Sequence, residues 1–525
     1  MKKCRVETNK DKIAEYMIDE SRITGFSQEV AFPADSSEIS AYLKEADDTG
    51  VTVQGARTGL NGGAVPFGGK TINLENCNQI LGMRYDQEAD RYYLQVQTGI
   101  TLEHLNKLIS TKVFATGEWD AESQAAYDLF RQDGEFFFPP DPTETTASIG
   151  GMISCNASGA GSYHYGAIRS YVEAVTIILS DGEVIRLRRG QHVAEEGVIN
   201  ITLKGRPYQL QIPQYHYSNR KNAVCYYARD DMDLVDLFIG AEGTLGVIAE
   251  AWLTLIRRPQ ECWGILSFYQ NDQELKPFLH FLRSISKDNE AYIAAIEFFD
   301  QTSLRLIKDK AYSLDKYSQI PVINQDYGAA LYYEIHSRSE AAALDLLQQS
   351  FECLSESTSY PEEAVAAMTA SELQRLKAFR HAAPECANMV TDQYRRSDPA
   401  LTAIFTDIAT PEHDFFELLS IYKKTMNEMQ ISYIIYGHIG DWHLHVNMLP
   451  KTAAEYGICI EIYDEWAKWA AERGGTISAE HGVGRLKAGM LQYMVGTADM
   501  ERCRIIKHFF DRKGILNQGV LFNQL

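Results

Sequence analysis

The 525-residue chain has no long hydrophobic run. No apolar stretch reaches the roughly 18–20 residues that cross a bilayer, which argues against a helical membrane span. The opening M-K-K-C-R-V-E-T-N-K-D-K carries basic residues with no apolar segment behind them, so it does not read as a secretory signal. Paired cysteines are also missing. Nine cysteines, at positions 4, 77, 155, 225, 262, 353, 386, 459 and 503, contain no C-x-x-C, which argues against a zinc ribbon or an iron–sulfur motif. An odd, scattered set fits reduced core thiols, and the expected location is cytoplasmic. Positive charge is short: 50 Lys and Arg stand against 71 Asp and Glu, for a net charge of -21. Such a surface repels phosphate backbones and argues against nucleic-acid binding, while leaving room for a local basic pocket. Repeats and low-complexity tracts are lacking. What remains, 45% hydrophobic and 23% charged, is an ordinary globular composition long enough for two to four domains.

Short strands and glycine-rich turns fill the first half. Val51 to Gln54 and Tyr92 to Gln97 read as strands and Leu102 to Ile109 as a helix. Val172 to Leu179, Ser180-Asp181-Gly182 and Glu183 to Leu187 make a hairpin signal. A strand from Leu245 to Ile256 ends at Arg257-Arg258-Pro259, where a domain boundary is expected. Beyond it strands and helices alternate: Gly264 to Tyr269 then Gln273 to Ser286, Tyr292 to Phe299 then Thr302 to Lys310, Leu331 to His336 then Glu340 to Cys353. That order predicts an α/β or split α+β layer with helices on one sheet face. Late helices are expected at Thr452 to Arg473 and Asp499 to Arg512, each stopped by glycine. The expected organisation is 25–258, 259–470 and a C-terminal segment, 471–525, that returns to the first domain. Glu118 to Glu135 and Arg188 to Arg220 read as inserted loops, either functional lids or mobile surface.

Three clusters of small residues lie in the first domain. One is Q-G-A-R-T-G-L-N-G-G-A-V-P over 54–66, just after a strand. Glycines let backbone approach a ligand, and successive N–H groups form a nest for a diphosphate. It is neither G-x-G-x-x-G opening a helix, since Pro66 and the glycines after it forbid one, nor a Walker loop, since G-K-[ST] is absent. Alone it also fits a tight turn. The others are P-P-D-P-T-E with I-G-G-M over 139–152, continuing to Gly161, and I-G-A-E-G-T-L-G-V-I over 239–248. Together they suggest an extended ligand laid along backbone.

In this order, over roughly 30–520, the motifs resemble the FAD-binding (PCMH-type) vanillyl-alcohol oxidase superfamily. The similarity is to its branch of glycolate oxidase, D-lactate dehydrogenase and D-2-hydroxyglutarate dehydrogenase. The resemblance implies an α+β fold: a PCMH-type domain of two α+β subdomains and a ferredoxin-like α+β FAD-linked oxidase cap. It implies that Gln54, Gly55, Ala56, Arg57, Thr58, Gly59, Leu60, Asn61 and Gly62 hold the FAD diphosphate. Pro140, Asp141, Thr143, Ser148, Gly150, Gly151, Asn156, Ser158 and Gly159 would line the isoalloxazine ring and ribityl chain. Glu242, Gly243, Gly246 and Ile248 would hold the adenine side, with Asn517 in the returning tail. Attachment is expected to be noncovalent. Gln518 stands where relatives usually carry proline.

The most chemical stretch is Y-I-I-Y-G-H-I-G-D-W-H-L-H-V-N-M-L over 433–449. Two apolar strands flank a Gly-Asp turn. His438 is expected to end the first and His445 to begin the second, so pairing could bring them together. His443, His445 and Asn447 share one strand face. Neutral imidazoles so placed suit a divalent ion. The pattern G-H-x-G-D…L-H-x-N followed by E-H-G-x-G implies, by resemblance, metal ligands His438, His445 and Glu480, holding Zn²⁺ or Mn²⁺. The family usually has Gly-Asn where this chain has Trp442-His443. Tryptophan is expected to narrow the pocket, and His443 to compete as a ligand or touch substrate. Arg380 is the candidate carboxylate-binding arginine by resemblance, and a planar guanidinium suits that task. No lysine precedes Asp407, so a second carboxylate grip is not expected there.

The expectation is an FAD-dependent oxidoreductase acting on a small D-2-hydroxy acid such as lactate, glycolate or 2-hydroxyglutarate. Arg380 aims the carboxylate, His481 takes the hydroxyl proton, Asn447 orients the substrate and flavin N5 accepts hydride. Two alternatives are an FAD-binding subunit of a larger complex and a metal-dependent hydrolase. The electron acceptor stays open between quinone, cytochrome, electron-transfer flavoprotein and oxygen. Contact with a membrane surface or a partner subunit stays open too.

Overall fold

Strand Val51–Gln54 is the pivot of the first sheet, because it delivers the chain into the glycine loop. The computed structural model describes residues 4–218 and 221–522. Its four-stranded first sheet has strands β1 (Arg5–Glu7), β2 (Val30–Phe32), β3 (Val51–Gln54) and β4 (Lys70–Asn73) in the order β1-β2-β4-β3, with β3 and β4 parallel. Val30, Ala31, Val51 and Ile72 are buried on the strands that pair in parallel. Leu516 bridges Val51, adding the tail to the edge of this sheet. Ile39, Leu43, Ile72, Val247, Ile515 and Leu516 join one core.

A second sheet carries β5 (Ile80–Asp86), β6 (Arg91–Gln97), β7 (Phe136–Phe137), β8 (Val172–Ile178) and β9 (Val184–Arg188). A separate hairpin pairs β10 (Val198–Leu203) with β11 (Arg206–Gln211). Strand β12 (Val247–Arg257) completes the second sheet at its centre, between β6 and β8.

Both expected insertions differ from loops. Glu118 to Glu135 contains the helix Ala121–Gln132, capped by Asp120, whose carboxylate accepts from the Ser123 N–H at 2.7 Å. Ser123, Ala126, Tyr127 and Phe130 recur at helical spacing and are buried; Gln124, Asp128 and the exposed Leu129 between them mask the pattern. Arg188 to Arg220 contains the β10–β11 hairpin, whose strands alternate buried and exposed residues. Its turn is Lys204-Gly205, both at positive φ (50° and 72°), a two-residue hairpin geometry that Lys rarely signals. Residues 219–220 of that segment lie outside the described residues.

The residues group into two units. Unit 1 holds 1–159, 167–258 and 478–525; unit 2 holds 160–166 and 259–477. Unit 2 is built on an eight-stranded sheet of β13 (Glu261–Tyr269), β14 (Ala291–Asp300), β15 (Ala329–Ser337), β16 (Val365–Ala367), β17 (Ile404–Phe405), β18 (Ile408–Ala409), β19 (Tyr433–Gly437) and β20 (His443–Met448). Its order is β16-β13-β15-β14-β19-β20-β17, with β18 on β20. β15 lies antiparallel between β13 and β14, the split β-α-β of a ferredoxin-like α+β layer. The expectation of helices on one face does not hold. Successive strand residues point to opposite faces. Phe299 packs on Phe379 of the helix Ala370–Arg395, whereas Phe298 faces Lys423 of the helix Glu412–Met429. Both faces are covered, which explains why β14 is buried along its whole length. No helix among the described residues is long and apolar enough to cross a membrane.

Candidate active site

In unit 1 the glycine loop is held by its own ends. The Gln54 amide donates to the carbonyls of Tyr16 and Ala64, both at 2.7 Å, so its side chain braces the loop. Among the described residues, no protein acceptor takes the backbone N–H groups of Arg57, Thr58, Gly59, Leu60, Asn61 or Gly62. Unmet N–H groups in succession, with Arg57 at φ 61° and Gly62 at φ 70°, are what an anion nest requires. Arg57 lays its guanidinium over the Tyr16 ring at 4.4 Å. Beside the loop a cavity of about 300 Å³ is lined by Gly55, Ala56, Arg57, Gly99, Thr101 and His104.

The second cluster fits against the first. Ser148 caps the helix Ile149–Ser154, accepting from the Gly151 N–H at 3.2 Å. A Cβ on Gly55 would sit 2.0 Å from Ser148 Oγ, so only glycine passes there. A Cβ on Gly150 would meet Thr98 at 3.0 Å, and one on Gly159 would strike the Asp141 carbonyl at 2.1 Å. Pro140 is buried and Thr143 exposed. Asn156, at φ 50°, donates to the Asn222 carbonyl at 3.1 Å.

The third cluster and the tail brace the E-H-G loop. Glu242 accepts from the N–H groups of Val483 at 2.7 Å and Gly484 at 2.8 Å. Burial pushes its carboxyl up to about 7, against the pull of those two amides and Lys487. Asn61 donates to the carbonyls of His481 (2.9 Å) and Gly482 (2.8 Å). Asn517 accepts from the Val53 N–H and donates to the Glu242 carbonyl, both at 2.7 Å. Gly243, at φ 71°, leaves room for the Asn517 amide. Gly246 and Ile248 lie against β8, where a Cβ on Gly246 would meet Ile177 at 2.4 Å. Glu480 accepts from Lys221 Nζ at 3.0 Å and Ser158 Oγ at 3.2 Å, and His481 Nε2 lies 3.5 Å from its other oxygen. Lys221 carried no sequence signal: it follows an irregular segment and sits 259 residues from its partner.

Unit 2 presents a polar group on one sheet face. β19 and β20 pair so that Tyr436 opposes His445. His438 lies just past β19, and the His443 N–H returns to its carbonyl at 3.2 Å. His443, His445 and Asn447 alternate along β20 and are buried. The ring centroids of His438, His443 and His445 are 4.5 to 5.7 Å apart. Glu297, on β14, lies 2.6 Å from His438 Nδ1, and its other oxygen is 3.8 Å from the Arg380 guanidinium. Arg380 also reaches the His381 ring at 2.8 Å. Asp407, fully buried, sits 3.1 Å from His443 Nε2. The Asn447 amide donates to Tyr436 at 3.4 Å, while its buried Oδ1 has no hydrogen-bond partner among the described residues. Glu297 and Asp407 were missed: an isolated acid in an apolar strand gives no local sign of its partner.

Trp442 does not narrow this group. It takes φ 57° in the turn, packs on Phe415 and Phe416, and lies under the Arg283 guanidinium at 4.2 Å. Strand alternation places it opposite the face that His443 and His445 share.

A family model described as FAD binding domain matches residues 27–126 and 129–188, and one described as FAD linked oxidases, C-terminal domain, matches 274–521. The chain is 28% identical to a D-lactate dehydrogenase of Anaerostipes hadrus, over 97% of this chain and 92% of that protein. It is 25% identical to the glycolate oxidase subunit GlcD of Bacillus subtilis, over 94% and 88%. Identity is also 25% to a D-2-hydroxyglutarate dehydrogenase of Stutzerimonas stutzeri, over 94% and 90%. Among solved structures, a 4-ethylphenol oxidase from Gulosibacter chungangensis matches with TM-score 0.65 at 14% identity, covering 99% of this chain and 94% of that one. An alkyldihydroxyacetonephosphate synthase matches with TM-score 0.61 at 14%, covering 98% and 81%. These likenesses show the fold.

Proposed function

Since this chain belongs to the FAD-linked oxidases, in the branch of the D-lactate, glycolate and D-2-hydroxyglutarate enzymes, we propose that it oxidises a small D-2-hydroxy acid to the 2-oxo acid. The observation that carries the substrate class is the polar group of unit 2. One sheet face holds a guanidinium, three imidazoles and an amide oxygen, Asn447 Oδ1, without a hydrogen-bond partner among the described residues. A carboxylate suits Arg380, whose planar guanidinium can present two parallel donors to it. A hydroxyl suits Asn447 Oδ1 as acceptor.

FAD, when bound, supplies the hydride acceptor. Its diphosphate fits the N–H groups of Arg57 to Gly62. A divalent ion held by His438, His445 and, by the sequence pattern, Glu480 would supply charge stabilisation for an alkoxide. The donor set fits: Glu297 holds one nitrogen of His438 and the Thr406 carbonyl one nitrogen of His445, at 2.6 and 3.0 Å. Each ring is thereby oriented. His481 is the proposed proton acceptor. It is half-buried, and Asn61 donates to its carbonyl and to that of Gly482 next to it.

The test is anaerobic mixing of the FAD-loaded protein with D-lactate, glycolate, D-2-hydroxyglutarate and L-lactate. Bleaching of the flavin band by a D acid or glycolate, lost in His481→Ala with flavin retained, supports the reading. No bleaching by any 2-hydroxy acid overturns it.

A further inference from the structure

His438, His443 and His445 are 6%, 0% and 5% exposed, and each offers a ring nitrogen within 4.8 Å of those of the other two. Neutral imidazoles gathered this closely suit a divalent ion. Two are held at one nitrogen by a fixed acceptor, His438 by Glu297 at 2.6 Å and His445 by the Thr406 carbonyl at 3.0 Å, and the buried Asp407 carboxylate lies 3.1 Å from His443 Nε2. An outer carboxylate or carbonyl on one ring nitrogen is the usual support of a metal-ligating histidine, whose other nitrogen faces the ion.

The backbone brings them together by two local devices. Trp442 in the left-handed region closes a short turn that ties the His443 N–H to the His438 carbonyl at 3.2 Å. Gly437, at φ 129°, passes under the His445 ring, where a Cβ would lie 3.1 Å from it. Strand alternation then sets His443 and His445 on the same face. The His443 ring centroid lies 5.4 Å from that of His438 and 4.5 Å from that of His445, against 5.7 Å between those two.

We propose that His443 is a third imidazole ligand, so that unit 2 by itself supplies a three-histidine divalent-metal site, with Asp407 as the positioning residue for His443. This inference rests on the metal reading above. Three imidazoles make the set more suited to Zn²⁺ than to Mn²⁺, which prefers carboxylate and water oxygens.

The experiment uses the full-length, FAD-loaded protein, stripped with a chelator and titrated with Zn²⁺ and Mn²⁺, then reconstituted with Co²⁺ for its visible spectrum. His443→Asn should weaken Zn²⁺ binding by at least about tenfold, the loss seen when even an outer partner of a ligand is removed. Mn²⁺ binding should fall less, and the Co²⁺ bands should move. Asp407→Asn, equal in size, should weaken Zn²⁺ with flavin content unchanged, and it carries the test if His443→Asn loses its flavin. Wild-type Zn²⁺ affinity, Zn²⁺-to-Mn²⁺ ratio and Co²⁺ spectrum in either flavin-loaded variant overturn the proposal. Wild-type protein that binds none of the three ions overturns the metal reading as well, so the two failures are distinct.

Discussion

Glu242→Gln should change how the stability of unit 1 depends on pH. The Glu242 carboxylate is buried and receives two backbone N–H bonds from the loop that carries Glu480 and His481. Burial raises its pKa to about 7 from an ordinary 4.5, the amides of Val483 and Gly484 and the Lys487 charge opposing. A folded-state value above the unfolded one means that folding favours the protonated form. The contribution is therefore whole below about pH 4.5 and lost as pH rises through about 7. That gap is worth about 3 kcal/mol. Glutamine removes the titration but presents one oxygen and one NH₂ to two N–H donors. One donor then loses its acceptor, at about 1–3 kcal/mol. The wild type should be the more stable at pH 5, and its advantage should shrink by about 3 kcal/mol, vanishing or reversing, by pH 8. At about 2–4 °C per kcal/mol for a large domain, thermal unfolding followed by flavin release across that range resolves the change. Wild-type and variant curves that stay parallel from pH 5 to 8 would refute the reasoning.

Gly55→Ala should lower the flavin content of purified protein, because its Cβ would lie 2.0 Å from Ser148 Oγ. Overpacking of this kind costs about 1–3 kcal/mol, and the double variant with Ser148→Ala should recover much of the flavin-to-protein absorbance ratio. Lys507→Met should destabilise by about 3–5 kcal/mol in urea unfolding, as expected when one partner of a buried pair is removed. Lys507 is 4% exposed, and its ammonium donates to Asp511 and to the carbonyls of Thr244 and Leu516; adding Asp511→Asn should return part of the loss.

Features with a short-range cause were legible in the sequence. The glycine loop after β3 was readable because a run of glycines with Pro66 permits little besides close backbone approach. His443, His445 and Asn447 were placed on one face because a strand has a period of two. The misread segments had weak local signals: a helix whose buried Ala126, Tyr127 and Phe130 are interrupted by Asp128 and an exposed Leu129, and a hairpin turning at Lys204-Gly205. Helices on both faces of the unit 2 sheet followed from which strand residues were apolar, and β14 shows it, with every residue buried.

By itself, the sequence determined that three glycine clusters follow one another in the first half and that histidines gather on a strand pair. Backbone approach and strand alternation need only neighbouring residues. Only the tertiary structure decided which partners orient those groups. Glu297 reaches His438 across 141 residues, Lys221 reaches Glu480 across 259, and Asn61 reaches the His481 carbonyl across 420. A side chain's chemistry fixes what it can bond to. Which acceptor it meets, and how much water is left there, is set by the sheets and loops that bury it.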